Sequence, residues 1–359
     1  MKRTAALAAA ALMLTACTGN NETSDILQYE YLPAEQLYSG LDAALETEYT
    51  KFTLPERSQI PVLNPEGIYE LRLGYVNTEC SVDWLKEKVD MLYEALGFEF
   101  GGRTVVDGYS AYRKDESNDV SMLGFSQTYC RWENTLNGVS MLNENIISYD
   151  TLFYDRSPAG GAGEAAEKLA DRAIQIADKI SGVTGDELDN TVSDICTLHT
   201  DTAVGYEIGI RKSYKGIGIQ DLFSSHITDT ETSPGNDLLA VSMQSYIDLD
   251  SDLGPEYYVG CNSYNVQSAD KLEKAVSFRS ACDILERELA EYVRFKFDTV
   301  MLMYEPRGKA LSSEMTAPET VSCVPKWFFI SDSSSQSGSH SIDYVTVDCR
   351  DGSVEVEMP

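Results

Sequence analysis

The sequence is poor in histidine and in cations. His199, His226 and His340 are its 3 histidines, and they form neither His-x-x-x-His nor His-Glu-x-x-His. That leaves a catalytic zinc site little to build on, and each histidine reads as an ordinary surface or loop residue. No Cys-x-x-Cys occurs among the 8 cysteines, which argues against a dithiol redox motif or a zinc ribbon. The Gly-x-Ser-x-Gly nucleophile elbow is missing too; Gly108-Tyr109-Ser110-Ala111-Tyr112 comes nearest and ends in Tyr. A Ser-His-Asp triad stays open on spacing alone, because triad members are often distant in sequence. Lys and Arg number 28 against 58 Asp and Glu, a formal charge of −30. Such a body is repelled by nucleic acid and by anionic lipid headgroups, and attracts cationic partners or divalent cations. The plainer reading is that the charge keeps the protein soluble. Long apolar runs are absent as well: nothing approaches the roughly 20 residues that span a bilayer.

What is present starts at the amino end. Lys2 and Arg3 precede an apolar run of Ala, Leu and Met, and Leu14-Thr15-Ala16-Cys17 closes it. This is the order of an export signal, and the Cys abutting the small residues resembles the lipobox of bacterial lipoproteins. The resemblance implies removal of residues 1–16 and a diacylglyceryl-modified, palmitate-bearing Cys17. A protein so anchored sits on the extracytoplasmic face of a membrane, since each buried methylene contributes about 0.8 kcal/mol. Residues 17–30 then read as a lipidated tether, polar and flexible at Thr18 to Asp25.

Export permits disulfides without requiring them. Beyond Cys17 the thiols are Cys80, Cys130, Cys196, Cys261, Cys282, Cys323 and Cys349, an odd number, so at least one stays unpaired in a monomer. Cys323 and Cys349 flank strands expected to share a sheet and are the best candidate pair; others fit as small core residues.

The length predicts about two domains, and 43% hydrophobic residues suffice for real cores. A short helix is expected within 33–48, then an extended connection marked by Pro55, Pro61 and Pro65. A strand over 68–76 precedes a helix from Ser81 to Leu96, and strand-like runs follow over 104–112, 121–132 and 146–154. A second helix over 164–180 carries Ala166, Leu169, Ala173, Ile176, Ala177 and Ile180 on one stripe and is expected to stop at Gly182. Strands are expected over 204–210, 216–219, 238–249 and 257–266. Ser277 caps a third helix expected to reach Phe295. Strands over 299–305 and 326–330 follow, a Ser-rich loop spans 331–341, and a hairpin turns at Asp351-Gly352. The strands lie too close together for repeated parallel crossovers. The fold class is therefore α+β: amphipathic helices packed on antiparallel sheets, with domains expected at 31–161, 162–275 and 276–359.

Three local patterns invite chemistry. Gly161-Ala162-Gly163-Glu164-Ala165-Ala166 matches a dinucleotide fingerprint, but Glu164 and Glu167 would face the pyrophosphate, so a glycine lead-in to a helix is preferred. Asp248 to Gly254 superficially resembles a calcium loop, yet Leu253 and Val259 occupy the sixth and twelfth positions, so an acidic turn is preferred. Tyr246, Tyr257, Tyr258 and Tyr264 could line a sugar or peptide groove, although Tyr is also a favoured strand residue. No cofactor or metal ligand set is expected, and carboxylates are too abundant for any pair to stand out.

The stretch from Val276 to Val356 resembles the C-terminal module of YycH/YycI-type and PepSY-like proteins, which are exported or membrane-anchored regulators. Ser277-Phe278 opens its helix. Val300, Leu302, Tyr304 and Pro306 form one strand pattern, and Pro325, Trp327 and Phe329 a second. Val347, Asp348 and Gly352 mark the hairpin. Gly205-Tyr206, Arg211 and Gly216-Ile217 are similar to the preceding module of such proteins. The resemblance implies two to three α+β modules that bind or restrain other proteins rather than catalyse, here carried by a lipid instead of a membrane helix. The expectation is a non-catalytic binding or regulatory lipoprotein of the cell envelope, with an envelope protein as partner and no nucleic acid. The alternatives are an envelope hydrolase acting on glycosides or peptides, and a solute-binding lipoprotein.

Overall fold

The computed structural model describes residues 29–76, 82–96, 104–107, 110–114, 122–126, 130–133, 148–156, 162–199, 204–220, 243–259, 263–292, 294–307, 320–332 and 342–357. Along them run β1 (Tyr31–Leu32), α1 (Leu41–Leu45), β2 (Phe52–Thr53), β3 (Ile68–Tyr75) and α2 (Val82–Leu96). Then come β4 (Thr104–Asp107), β5 (Ser110–Lys114), β6 (Met122–Ser126), β7 (Cys130–Glu133), β8 (Ser148–Leu152) and α3 (Glu164–Thr184). The middle holds β9 (Asp189–His199), β10 (Val204–Tyr214), β11 (Ile217–Gly218), β12 (Gln244–Leu249), β13 (Pro255–Val259), β14 (Tyr264–Leu272) and β15 (Ala275–Val276). The last part comprises α4 (Phe278–Glu288), β16 (Phe295–Lys296), β17 (Thr299–Arg307), β18 (Val321–Asp332), β19 (Ile342–Asp348) and β20 (Val354–Glu357).

Two sheets organise these elements. The ten-stranded sheet has the order β4-β5-β6-β7-β13-β12-β10-β9-β8, with β11 also on β10. Its neighbours pair antiparallel, and the links β4-β5, β5-β6, β6-β7, β9-β10 and β12-β13 are too short for a parallel crossover. Helix α3 covers one face. Its stripe of Ala166, Leu169, Ala173, Ile176 and Ile180 falls at three- and four-residue steps, and the alanines let the helix lie close to Val192, Ile195, Ile208, Ile210 and Ile247. Val89 and Leu92 of α2 join the same core.

The six-stranded sheet runs β14-β3-β18-β19-β20, with β17 on the other edge of β18. Helix α4 covers it: Phe278 meets Trp327 edge-on at 5.4 Å, and the Trp327 indole N–H donates to the Val276 carbonyl at 2.8 Å. Ser277 caps α4 as its sequence predicts, its hydroxyl accepting from the Ser280 N–H at 3.2 Å. A strap over residues 31–60 wraps this core. β1 pairs β15, β2 pairs β16 in parallel, and Leu37, Ala44, Phe52 and Ile60 are buried. A parallel bridge from Ile219 to Tyr304 joins the two sheets.

The α+β class holds. The domain borders expected at 161/162 and 275/276 do not separate the sheets. β3, β14 and β18 come from all three stretches yet pair side by side, because apolar strand edges find distant partners. The described residues from Tyr31 onward cluster as one unit.

Smaller corrections have local causes. α3 runs through Gly182, which faces open space, and stops at Gly185, whose φ of 80° only glycine takes readily. The run 104–112 is a hairpin of β4 and β5, and 121–132 becomes β6 and β7. The run 257–266 contributes to β13 and β14, in different sheets. α4 ends at Glu288, and Phe295 pairs with Phe52 instead. Strand β9 escaped the pattern reading, since a bulge beside Gly209 and Ile210 breaks its alternation.

Candidate functional site

The strap builds an open concavity. Helix α4 supplies its anchors. Burial works against the charge of Glu286, but the Thr50 hydroxyl and the N–H groups of Thr50 (2.9 Å) and Lys51 (3.1 Å) donate to it and hold its carboxyl below the usual range. Arg279 donates to the Ala43 carbonyl at 3.0 Å and to the Thr47 hydroxyl at 2.6 Å, and lies 5.9 Å from the centre of the Tyr49 ring. Lys51 donates to the carbonyl of Ala290. Stacked Tyr49 and Phe52, 4.5 Å apart, fill the floor.

These contacts shape an open cleft of about 680 Å³ between the strap and residue 294. Leu45, Leu54 and Pro55 give it apolar wall, Thr47, Thr50 and Thr53 polar wall, and Glu48 and Arg294 its charges. Arg294 is exposed; its guanidinium donates only a long 3.5 Å contact to the Tyr49 carbonyl. A smaller hollow of about 350 Å³ lies along the same strap, between Tyr38, Leu41, Arg57 and Val62.

A second feature is an acidic row on the face of the ten-stranded sheet opposite α3. Glu207 of β10 stands directly opposite Asp248 of β12, and Asp194 of β9 lies beside Gly209. Any side chain at 209 would collide with the Asp194 carboxylate and the Ser193 hydroxyl, so glycine there makes the room. Burial, then the nearby Asp194 charge, pushes the Glu207 carboxyl above its ordinary range.

Two buried lysines hold sheets rather than ligands. Lys326 Nζ reaches Glu305 (2.8 Å), Glu355 (2.6 Å) and Thr346 (3.2 Å). Lys212 Nζ reaches Asp186 (2.7 Å) and Asn190 (2.9 Å). Each is a closed cluster on a sheet face, with its charge already answered.

Cys17 lies outside the described residues, as do Cys80, Cys261, His226 and His340. Cys323 and Cys349 are buried free thiols, so the expected disulfide is not formed. The Cys349 N–H donates to Pro325, two residues beyond Cys323, which makes the two cysteines diagonal neighbours. Diagonal neighbours are spaced about 7 Å, and a disulfide needs Cβ atoms about 4 Å apart. Cys196 and Cys282 are free and buried too.

Of the tyrosines proposed for a groove, Tyr264 is fully buried in β14, whereas Tyr246 is partly exposed on β12 of the other sheet; the side chains of Tyr257 and Tyr258 lie outside the described ones. In the acidic loop, Asp250 accepts from the N–H groups of Asp252 (2.8 Å) and Gly254 (2.7 Å), so its carboxylate closes the turn. No group of three potential metal ligands is present among the described residues. Gly163, at φ 86°, leads into α3 as a helix N-cap. Sequence reading passed over Glu48, Glu207 and Arg294. The available signal was Phe52 and Ile60, isolated large apolar residues among prolines, which mark a strap pinned to a core.

No protein-family model matches the chain, and no curated protein matches it. The chain is similar to an uncharacterized protein from Eubacterium rectale ATCC 33656, whose crystal structure was determined at 1.45 Å resolution. The TM-score is 0.53 at 13% identity, over 89% of this chain and 99% of that one. Likeness at that identity is one of fold.

Proposed function

We propose that this chain is a lipid-anchored cell-envelope protein that works by binding rather than by catalysis, with Cys17 as its acylated terminus. The observation that carries the binding role is the cleft of about 680 Å³ on the strap. Its size lies within the roughly 300–1,000 Å³ of sites that hold small ligands, and it combines apolar wall with a few polar groups. The likeness of Val276 to Val356 to YycH/YycI-type and PepSY-like modules supports a regulatory outcome of binding. Helix α4, β17, the Trp327-bearing β18 and the terminal hairpin follow in the order that layout expects. Two to three such modules would here share sheets instead of standing apart.

Export is supported by the signal-like residues 1–16 alone; no helix of the described residues is long and apolar enough to cross a membrane. The test is affinity capture from detergent-solubilised membranes with the full chain, beside a Cys17→Ser form. The expected result is a reproducible envelope partner with the acylated form, and loss of membrane attachment in the variant. An unchanged membrane fraction for Cys17→Ser would refute the anchor.

The acidic row favours a second reading, an envelope hydrolase. A carboxyl held above its usual range beside other carboxylates suits a general acid. Turnover of an envelope polymer that Glu207→Gln abolishes would establish this reading over the first.

A further inference from the structure

We infer that the strap cleft takes a zwitterionic ligand, a free amino acid or short peptide, with its carboxylate on Arg294 and its ammonium toward Glu48; the inference rests on the binding-protein reading. Arg294 lines the cleft, is exposed, and has no carboxylate within ion-pair distance among the described residues. A guanidinium has five N–H donors in a planar fork that fits a carboxylate in two parallel hydrogen bonds. Arg294 uses that fork for one 3.5 Å contact to a carbonyl.

The other walls narrow the class. Among the described residues Glu48, also exposed, is the only carboxylate lining the cleft. A simple anion would meet Glu48 and approach a chain of formal charge −30; a simple cation would meet Arg294. A zwitterion brings no net charge, so the long-range field neither repels nor attracts it, and each end finds its opposite sign. Leu45, Leu54 and Pro55 offer apolar surface for the side chains between those ends. The Thr50 and Thr47 hydroxyls are already engaged with Glu286 and Arg279, so they shape the wall rather than read the ligand.

The test is isothermal titration of the full chain with Leu-Leu, its C-terminal amide and its N-acetyl form. Leu-Leu should bind. The amide should bind about tenfold more weakly or worse, as expected when a charge-assisted hydrogen bond is lost. Arg294→Gln should show the same loss and no further loss with the amide. Glu48→Gln and the acetylated probe should pair in the same way. Both side chains are solvent-facing, and unchanged circular dichroism verifies folding of the variants. The probe series on the unaltered protein stands even if a variant misfolds. Absence of Leu-Leu binding at millimolar concentration, or equal binding of acid and amide, overturns the inference. If membrane capture still recovers a partner, the ligand class falls and the binding role stands; if capture fails too, both fall.

Discussion

Replacing Lys326 by methionine removes one charge from the interior of β18 and keeps most of the side chain's bulk. Lys326 is 1% exposed, and its ammonium makes three hydrogen bonds, to Glu305, Glu355 and Thr346. That is its full donor count. Arg307 bridges the same two carboxylates, at 2.8 Å to Glu305 and 2.7 Å to Glu355. Breaking a buried pair by removing one partner costs about 3–5 kcal/mol, because the other charge is left in low dielectric. Arg307 remains on Glu305, and the Glu355 side chain is 45% exposed, so the low end applies, about 3 kcal/mol. Domains are stable by about 5–15 kcal/mol, so the variant still folds. Adding Glu305→Gln to Lys326→Met removes the stranded charge, and the double variant should be the more stable of the two. Urea unfolding at pH 7 reads both as midpoint shifts at constant slope. Acid adds a second test. Burial opposes the charge of Glu355, but Lys326 and then Arg307 outweigh it and hold its carboxyl below the usual range. A carboxyl lowered in the folded state stabilises above its unfolded pKa of about 4.3, and that contribution disappears as pH falls through the folded value. The gap between wild type and Lys326→Met should therefore narrow below about pH 4. A difference under about 0.5 kcal/mol at pH 7 would refute the reasoning, since that is the scale of a solvent-screened surface pair.

Ser277→Ala should cost about 1 kcal/mol by leaving the Ser280 N–H uncapped, with Thr restoring most of it; thermal midpoints decide. Glu207→Gln should raise stability at pH 7, because a carboxyl raised in the folded state stabilises only below its unfolded pKa and loses that contribution as pH rises through the folded value. The gain should vanish at acid pH, and a pH-independent gain would mean that Gln packs better for other reasons. Burial pushes the thiols of Cys282, Cys323 and Cys349 well up, so none should label with a thiol reagent at pH 8 until the chain is unfolded. Peptide mapping that finds fast labelling at any of the three contradicts their burial.

Local periodicity made the helices legible. The stripe of α3 and the Ser277 cap are written within a few residues, and so is the Asp351-Gly352 turn, where Gly352 takes φ 75°. Sheet assembly is not local. Nothing near Leu71 announces that it will lie opposite Cys323, and nothing near Phe295 announces Phe52. The stop at Gly185 rather than Gly182 depends on which glycine packing allows to turn left-handed. The cleft was least legible of all, because Glu48 and Arg294 come from opposite ends of the chain and neither belongs to a patterned element. The Cys323–Cys349 pairing failed for a related reason: a shared sheet face was foreseeable, but the diagonal register was not.

The strap's burial decides whether its cleft is a lid or a fixed wall. Leu37, Leu41, Phe52 and Ile60 are nearly inaccessible to solvent, and Tyr49 almost so. At roughly 1.5–3 kcal/mol for each large apolar side chain, these five contribute on the order of 10 kcal/mol, an upper estimate because unfolded chains are partly compact. That is comparable to the whole stability of a domain, about 5–15 kcal/mol. The strap therefore cannot lift from α4 and the six-stranded sheet as an independent flap; releasing it would take Tyr38 from Trp327 and Phe52 from Phe329. Its hydrogen bonds run the same way, since Glu286 and Arg279 fasten the segment that carries Glu48. A wall so fastened presents a preformed cleft. Ordering costs on binding are then confined to the exposed Glu48 and Arg294 side chains, about 0.5–1.5 kcal/mol each. Ligand discrimination rests with those two charges, and the rigid backbone between them sets their separation.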